Sequence, residues 1–459
     1  MTLLARAATQ PRPNVRREAP LALGLGCVLA LAFLLFPLDV AVAVGLVGWF
    51  AVLAMVDVRA TVLALIVARS SVDVAAELDL ALGGPLADLN VAAILSAMLV
   101  VLGVVHIAVN RVDVSKIPLV RPVGALLAVF SVGVLYAPDA GVAFQGWLRT
   151  VSAFVLYLLV VDMLRDRKRT ASVVGAILVS AVVPVLVGLY QIVVGGANQD
   201  TEGFSRITAT FVHPSPYAIY LVTLLPLAIV AFLHARSDLS RLGLGLLMMA
   251  MMVCLVATFT RGAWIGFLVA LLVMAAVKYR GALLLVPALV LLILIAVPPV
   301  QERFAELGGP YSSWDWRTNQ WADALSIQSV WQRMTGAGLG AVEYHLASEA
   351  HNDYLKVWVE AGVLGSLAFF WLYASLLRTA IAGYRGLRSD YQRSLALAFI
   401  AVLAGRAVML LSDNLIGHPV LEWYFWSLAA VVVALVTSPS AAGEMSPRSA
   451  SLGGEGRVR

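Results

Sequence analysis

Long apolar runs separated by short polar stretches repeat along the whole chain. A helix that crosses a bilayer needs roughly 20 mostly apolar residues, because every backbone amide in hydrocarbon must be satisfied within the helix. The pattern therefore predicts an all-α polytopic membrane protein with about 12 to 14 transmembrane helices. The candidate spans are residues 21–36, 40–56, a short 61–72, 89–109, 122–137, 143–164, 171–194, 215–234, 242–258, 263–277, 282–298, 362–383, 394–412 and 420–437.

One long polar segment, residues 299–361, interrupts this pattern and is called the polar segment below. It contains eight acidic and four basic residues, and its tryptophans Trp314, Trp316, Trp321 and Trp331 are typical of short helices that lie in the membrane interface. The pattern divides the chain into a cytoplasmic N-terminal segment 1–20, a transmembrane region 21–298, an external, periplasmic loop 299–361, C-terminal transmembrane helices 362–437 and a disordered cytoplasmic tail 438–459.

Composition excludes a water-soluble globular domain, since 61% of the 459 residues are hydrophobic and only 13% are charged. The net charge of +5 comes mainly from basic residues in short loops between the spans. The positive-inside rule places those loops in the cytoplasm and the polar segment outside, so membrane lipids are predicted partners and nucleic acid is not. Cys27 and Cys254 both lie in apolar runs and indicate neither a disulfide nor a thiol metal site.

Charged residues near the external ends of spans are the candidates for chemistry, because burying a charge at membrane depth is costly. Arg206 and His213 flank the sequence ITATFV before one span, where Arg206 either grips a phosphate or anchors the next helix. Arg261 stands in a tight Thr-Arg-Gly turn with no acidic neighbour in sequence, which favours an anionic ligand. Arg149 and Arg406 lie inside predicted spans, and the simplest interpretation pairs Arg406 with Asp413.

His351, in the sequence HNDYL of the polar segment, is a candidate proton acceptor for an alcohol, or else only a hydrogen-bonding residue. Helical spacing places Glu360 on the opposite face, so it is a poor partner for this histidine. The chain lacks the D-x-D, P-loop, H-E-x-x-H and G-x-S-x-G signatures, and no metal or cofactor is predicted.

These motifs together resemble the O-antigen ligase / Wzy-type polymerase superfamily over roughly residues 171–437. The resemblance is carried by the basic residue before a T-F-x-x-P helix start, the T-R-G turn, the R-x-x-x-W motif, the G-x-G motif, HNDYL and E-x-G-x-x-G, at Arg206, Thr210, Phe211, Pro214, Arg261, Arg317, Trp321, Gly338, Gly340, His351, Glu360, Gly362 and Gly365. It implies a metal-independent, inverting glycosyltransferase of the GT-C type in the bacterial inner membrane, with its active site facing the periplasm.

The resemblance also implies substrates and residue roles. The donor would be an undecaprenyl pyrophosphate-linked glycan, and the acceptor a lipid-anchored glycan. Arg206 and Arg261 would hold the pyrophosphate, and His351 would activate or position the acceptor hydroxyl. Substrate-binding residues are expected at Arg317, His213, Arg149 and Asn352.

Two versions of this enzyme stay open, an O-antigen ligase that uses a lipid A core acceptor and a polymerase that uses a second lipid-linked repeat. A secondary transporter of a small anion is a more remote alternative, against which stand the absence of visible repeats and of a mid-span acid for proton coupling. A non-catalytic scaffold of an envelope complex is the third, and it predicts that Arg206, Arg261 and His351 are each dispensable.

Overall fold

The structure is a computed structural model that describes residues 45, 48–50, 52–54, 57–76, 91–165, 169–195, 199–201, 204–283, 301 and 313–437. The predicted span 21–36, most of 40–56 and nearly all of 282–298 lie outside the described residues, as do the predicted terminal segments 1–20 and 438–459.

The described residues form helices joined mostly by short turns. In chain order the α-helices are α1 Val58–Arg69, α2 Asp73–Ala76, α3 Val91–Val109, α4 Val120–Leu135, α5 Ala140–Met163, α6 Thr170–Val179, α7 Val182–Val194, α8 Pro214–Leu233, α9 Asp238–Ala257, α10 Arg261–Val277, α11 Ser313–Ser326, α12 Gln332–Thr335, α13 Ala341–Leu346, α14 Asp353–Gly386, α15 Asp390–Met409 and α16 Pro419–Thr437. A short 3-10 helix covers Val114–Lys116. Two three-residue strands, β1 Gln199–Thr201 and β2 Phe204–Arg206, pair antiparallel, a hairpin that the apolar pattern did not predict.

Seven helical segments of the described chain are long and apolar enough to cross a membrane: α5, α6 with α7, α8, α9, α14, α15 and α16. Three shorter apolar helices accompany them, Ile94–Val109 within α3, Val120–Leu135 and Arg261–Val277. The prediction of an all-α, multi-pass membrane protein is thereby confirmed. The number of 12 to 14 spans stays a prediction.

The centre of the bundle is formed by α16 and α8, which are enclosed by the other helices. Every residue of α16 from Val420 to Leu435 is buried, and Trp423 donates a hydrogen bond from Nε1 to Ser152 Oγ of α5 at 3.1 Å. Such satisfied polar contacts fix the register between helices that apolar packing alone would leave free to slide.

Close packing of α10 against α15 brings two polar turns together at one end of the bundle. A Cβ atom on Gly405 would lie 2.6 Å from the carbonyl oxygen of Gly266, so glycine is needed for the two backbones to approach this closely. The helices run side by side, with the first residue of α10, Arg261, near the turn that follows α15. This arrangement forms the side of the candidate site that carries Arg261.

Candidate functional site

Arg206 is buried at the end of β2 and is held by the turn that precedes α10. Its Nε atom donates to the carbonyl oxygen of Thr258 at 2.9 Å, and one terminal nitrogen donates to Thr260 Oγ1 at 3.0 Å. Only 7% of the residue is exposed. Because a buried guanidinium needs hydrogen-bond partners to offset its lost hydration, these contacts fix the cation in one place.

The turn that holds Arg206 also presents the second predicted arginine. Thr260 is the N-cap residue of α10, and Arg261 is the first residue of that helix. A Cβ atom on Gly262 would lie 2.5 Å from Ser412 Oγ, so the glycine lets this helix start lie directly against the turn after α15. The two arginines therefore flank a helix N-terminus, whose partial positive charge also favours an anion.

A buried glutamine in α7 fixes the backbone of the segment that follows Arg206. Gln191 Oε1 accepts hydrogen bonds from the backbone nitrogens of Thr208 and Ala209, at 3.1 and 2.8 Å. Gln191 was not among the site residues predicted from the sequence. A lone glutamine within an apolar span was the signal that would have identified it, since polar side chains inside spans are rarely without a partner.

The HNDYL sequence is clamped to the turn after α15. The backbone nitrogen of Asp353 donates to the carbonyl oxygen of Leu410 at 2.9 Å. The carboxylate of Asp353 accepts hydrogen bonds at Oδ2 from the backbone nitrogens of Leu415 and Ile416, at 2.6 and 3.0 Å. Asn414 adds a contact from Nδ2 to Glu349 Oε2 at 2.8 Å. The start of α14 is thus fixed to a turn that is distant in sequence.

His351 lies just before this clamp in a left-handed backbone conformation with φ 48°. The next residue, Asn352, is the N-cap of α14, and its Oδ1 accepts from the backbone nitrogen of Leu355 at 3.1 Å. The structure therefore gives Asn352 a helix-capping contact, besides the substrate role that the motif suggested. A non-glycine residue with positive φ is uncommon and is often found at functional sites.

Helix α11 of the polar segment packs on the histidine. The ring of Trp316 has its centroid 5.5 Å from that of His351, and Trp321 donates from Nε1 to the carbonyl oxygen of Ala350 at 3.0 Å. Arg317 is half-buried on the same helix, one residue after Trp316. The motif residues Arg317 and Trp321 therefore belong to the element that supports His351.

His213 connects the arginine side of the site to the histidine side. As the N-cap residue of α8, it accepts a hydrogen bond at Nδ1 from the backbone nitrogen of Ser215 at 3.2 Å. Burial, followed by the positive charge of Arg206, lowers the pKa of His213 below its ordinary value, while Asp413 acts in the opposite direction. The charges of His351 and His418 also act on this imidazole, so these groups belong to the same region of the molecule.

The G-x-G and E-x-G-x-x-G motifs have a structural function that their spacing did not reveal. The backbone nitrogens of Ala337 and Gly338 donate to the carbonyl oxygens of Val359 and Glu360, at 2.8 and 3.2 Å. This pairing is possible because Gly362 interrupts α14 with φ 63° and ψ −160°. The polar segment is thereby fastened to the same helix that carries HNDYL at its start.

The two other predicted arginines have different surroundings. Arg149 lines a neighbouring cavity together with Glu360. The predicted pairing of Arg406 with Asp413 is wrong, because Arg406 forms a buried ion pair with Glu422 of α16 and donates from Nε to Tyr373 Oη at 2.8 Å. Arg406 therefore pairs with a residue of another helix and not with the acidic residue that lies near it in sequence. Among the described residues, no group of three or more His, Cys, Asp or Glu side chains is arranged to hold a metal ion.

Fold and site together define a multi-pass membrane protein with buried cations and histidines gathered at one end of its helix bundle. Residues 244–370 match the family model described as O-antigen ligase. The matched region contains the T-R-G turn, HNDYL and the E-x-G-x-x-G motif, and it confirms the resemblance that these motifs predicted. The Arg206 motif precedes the matched residues.

The other two comparisons support no further assignment. No curated protein matches the chain. A chain from a solved structure described as "Structural coordination of polymerization and crosslinking by a peptidoglycan synthase complex" is similar, with 19% sequence identity and a TM-score of 0.42. The similarity covers 69% of this chain and 96% of that chain. A likeness of this degree carries no inference about activity.

Proposed function

We propose that the protein is a membrane glycosyltransferase that passes a glycan from an undecaprenyl pyrophosphate-linked donor to an acceptor hydroxyl at the periplasmic face of the inner membrane. In the form that we favour it is an O-antigen ligase, and the acceptor is a sugar of the lipid A core. The observation that carries the proposal is the convergence of Arg206, the Arg261 turn, His213 and His351 at one end of the bundle.

In this proposal the donor pyrophosphate lies between Arg206 and Arg261 at the start of α10. As the bond between the anomeric carbon and the phosphate oxygen breaks, its electron pair leaves with the pyrophosphate. Guanidinium groups that are already fixed stabilise this charge without reorganisation, and they stay protonated at any physiological pH. The hydrogen bonds of Arg206 to Thr258 and Thr260 supply that fixation on its side of the site.

On the acceptor side, an imidazole nitrogen of His351 takes the proton of the acceptor hydroxyl as its oxygen attacks the anomeric carbon. Attack opposite to the leaving pyrophosphate inverts the configuration at that carbon. An imidazole within reach of an alcohol is the side chain most often used for this proton transfer. The contact with Trp316 and the cap at Asn352 limit the orientations that the ring and its backbone can adopt.

His213 has a different part in this proposal. Its lowered pKa keeps the imidazole neutral at neutral pH. With Nδ1 accepting from Ser215, the proton is assigned to Nε2, which is then a donor for a substrate oxygen. It positions substrate without taking up a proton.

Transfer by the purified full-length protein tests the proposal, with an undecaprenyl pyrophosphate-linked glycan as donor and lipid A core as acceptor. We expect Arg261→Ala and His351→Ala each to lower kcat by on the order of a hundredfold to a thousandfold. Arg333→Ala and His345→Ala are matched controls, because both residues are exposed in the polar segment. Their rates should stay within about twofold of wild type.

Two results would overturn the proposal: no transfer to any lipid-linked or lipid A core acceptor, or wild-type rates for both site variants. Comparing lipid A core with a second lipid-linked repeat as acceptor separates the ligase from the polymerase. Transfer to the repeat alone identifies the Wzy-type polymerase and contradicts the ligase assignment.

A further inference from the structure

A cavity of about 230 Å³ lies beside the first turns of α14, outside the Arg206 and His351 cluster. Helix α5 contributes Gly146 and Arg149 to its wall, the polar segment contributes Glu343, and the turn after α15 contributes Ile416 and Gly417. Arg149 was expected to bind substrate. None of the lining residues has a role in holding the donor phosphate or in proton transfer.

The cavity shares its walls with the candidate site. Asp353, Lys356, Val357 and Glu360 line it, and their spacing of three, four and seven residues places them on one face of α14. His351 precedes that same helix by two residues. The turn that carries Ile416 and Gly417 on the cavity side also carries Asp413 and His418, whose charges act on His213. A ligand in the cavity therefore lies next to the histidine side of the site.

Three of the six charged side chains in the cavity wall are paired with each other. Lys356 forms an ion pair with Glu343, and its Nζ lies 3.9 Å from Glu360 Oε1. Buried charges without a partner cost several kcal/mol each, so this pairing explains how the cluster is tolerated beside a membrane span.

One acceptor oxygen of a residue that lines the cavity is not paired. Asp353 is fully buried, and while its Oδ2 binds the turn after α15, its Oδ1 has no hydrogen-bond partner among the described residues. Leaving a buried acceptor unsatisfied costs about 1 to 3 kcal/mol. A donor from a ligand in the cavity, such as a hydroxyl group, would remove that cost.

Size and polarity narrow the class of ligand. A cavity of about 150 Å³ is enough to admit benzene, so this one admits a six-membered ring with substituents. Hydrogen-bonding side chains such as Gln145 and Thr150 lie among apolar ones such as Phe130 and Val357, which suits the hydroxyl edges and C–H faces of a sugar. Four carboxylate residues against two basic ones disfavour a phosphate, unlike the arginine cluster.

We infer that this cavity binds one uncharged or amino sugar ring of the acceptor glycan through its hydroxyl groups. Holding that ring presents the neighbouring hydroxyl to His351, while the donor pyrophosphate stays on the arginine side of the turn after α15. The inference rests on the proposed glycosyl transfer for its role, and on the cavity itself for sugar binding.

Gly146 offers a test that fills the cavity without disturbing the packed helices. It lines the cavity, it is exposed, and a Cβ atom there would meet no other atom within 4 Å. Gly146→Leu places a side chain in the space for the ring. We expect the KM for lipid A core to rise tenfold or more, with the KM for the donor within twofold of wild type.

Gly124→Leu is the matched control, because Gly124 is also an exposed helical glycine with open space around its Cβ position and lies outside the cavity lining. Both KM values should stay within twofold of wild type in this variant. Unchanged KM values in Gly146→Leu would show that the cavity is only a structural ion cluster. An increase in the donor KM alone would assign the cavity to the donor glycan and overturn the inference.

Direct sugar binding separates this inference from the proposed function. Saturation-transfer NMR with lipid-free core oligosaccharide and the full-length protein requires no donor and no turnover. We expect a signal with wild type and with Arg261→Ala, and its loss with Gly146→Leu. Absence of a signal with wild type overturns the sugar subsite, whatever the transfer assay shows. A signal that Gly146→Leu abolishes, without transfer to any acceptor, supports the subsite and overturns the glycosyltransferase proposal.

Discussion

Arg206 uses two different nitrogen atoms to hold the turn before α10, and this distinguishes it from a cation that supplies charge alone. Its Nε binds the carbonyl oxygen of Thr258, and a terminal nitrogen binds Thr260 Oγ1. Lysine keeps the charge but has one nitrogen at the end of a flexible stem, so it cannot make both bonds in this geometry. Charge and shape can therefore be tested separately.

We expect Arg206→Lys to lower kcat for glycan transfer by on the order of tenfold to a hundredfold, because the cation loses its fixed position. The measurement is steady-state transfer, together with the unfolding temperature in detergent. Arg241→Lys is the control, since Arg241 is exposed and its guanidinium donates to the carbonyl oxygen of Ala235. Wild-type kcat in Arg206→Lys would mean that charge alone is sufficient.

His213 predicts a pH dependence of stability. Burial and Arg206 lower its folded-state pKa below the ordinary value of 6.5, so the unfolded chain binds a proton more readily. The stabilisation is complete above pH 6.5 and is lost as the pH falls from there towards the folded pKa, by at most about 1.4 kcal/mol per pH unit. His213→Asn keeps an N-capping side chain but does not titrate.

Unfolding temperatures at pH 7.5 and pH 5.5 check this expectation. Wild type should lose more stability over this interval than His213→Asn does. An equal loss in both proteins would show that other groups determine the acid sensitivity.

At the scale of elements, the interruption of α14 at Gly362 determines where HNDYL and the polar segment lie relative to each other. The dihedral angles of this residue are accessible essentially to glycine alone. A Cβ atom there would also lie 2.5 Å from the carbonyl oxygen of Met334. A straight helix would break the backbone hydrogen bonds that join Ala337 and Gly338 to the first part of α14.

Gly362→Ala should therefore destabilise the protein by at least about 1 to 3 kcal/mol and lower glycan transfer, because strain and a steric clash add. Gly386→Ala, at the end of the same helix, meets no atom within 4 Å and should be neutral. Thermal unfolding and transfer rate measure both variants. Equal stability of the two would mean that the interruption is not required.

The apolar pattern identified helices such as α8, α9 and α10 to within a few residues, because each is a continuous apolar run of suitable length. It could not show that α14 begins nine residues before Gly362, since the first turns of that helix are polar and mark a cavity. Nor could it find the partner of Arg406. Spacing along one helix predicts contacts within that helix, whereas Glu422 approaches from another.

At the scale of the whole molecule, the sequence singles out Arg206, Arg261 and His351 because they are polar residues beside long apolar runs. Their assembly depends on residues that carry no charge, such as Gly262 and Gly405, and on backbone contacts across long sequence separations. A single sequence shows which side chains are anomalous. The carboxylate pairings around Lys356 became evident only once helices and loop were packed together.

The orientation of the protein in the membrane is a separate prediction, and labelling of introduced cysteines can test it. In a variant with Cys27 and Cys254 replaced by serine, a cysteine introduced by His345→Cys should react with a membrane-impermeant maleimide from the periplasmic side. A cysteine introduced by Arg236→Cys should react only after permeabilisation, since positive-inside topology places it in the cytoplasm. Both positions are exposed. Labelling of both from the same side would contradict the proposed orientation.

The clamp at Asp353 has a consequence for how the protein is made. Arg206 and its hydrogen-bond partner Thr260 are separated by 54 residues. The hydrogen bond between Asp353 and Leu415 can form only after a further 62 residues have been synthesised. During synthesis from the N-terminus, the arginine side can assemble once α10 has been inserted. The histidine side is completed only after α15 has left the ribosome, so a nascent chain acquires its proposed phosphate grip well before it can react.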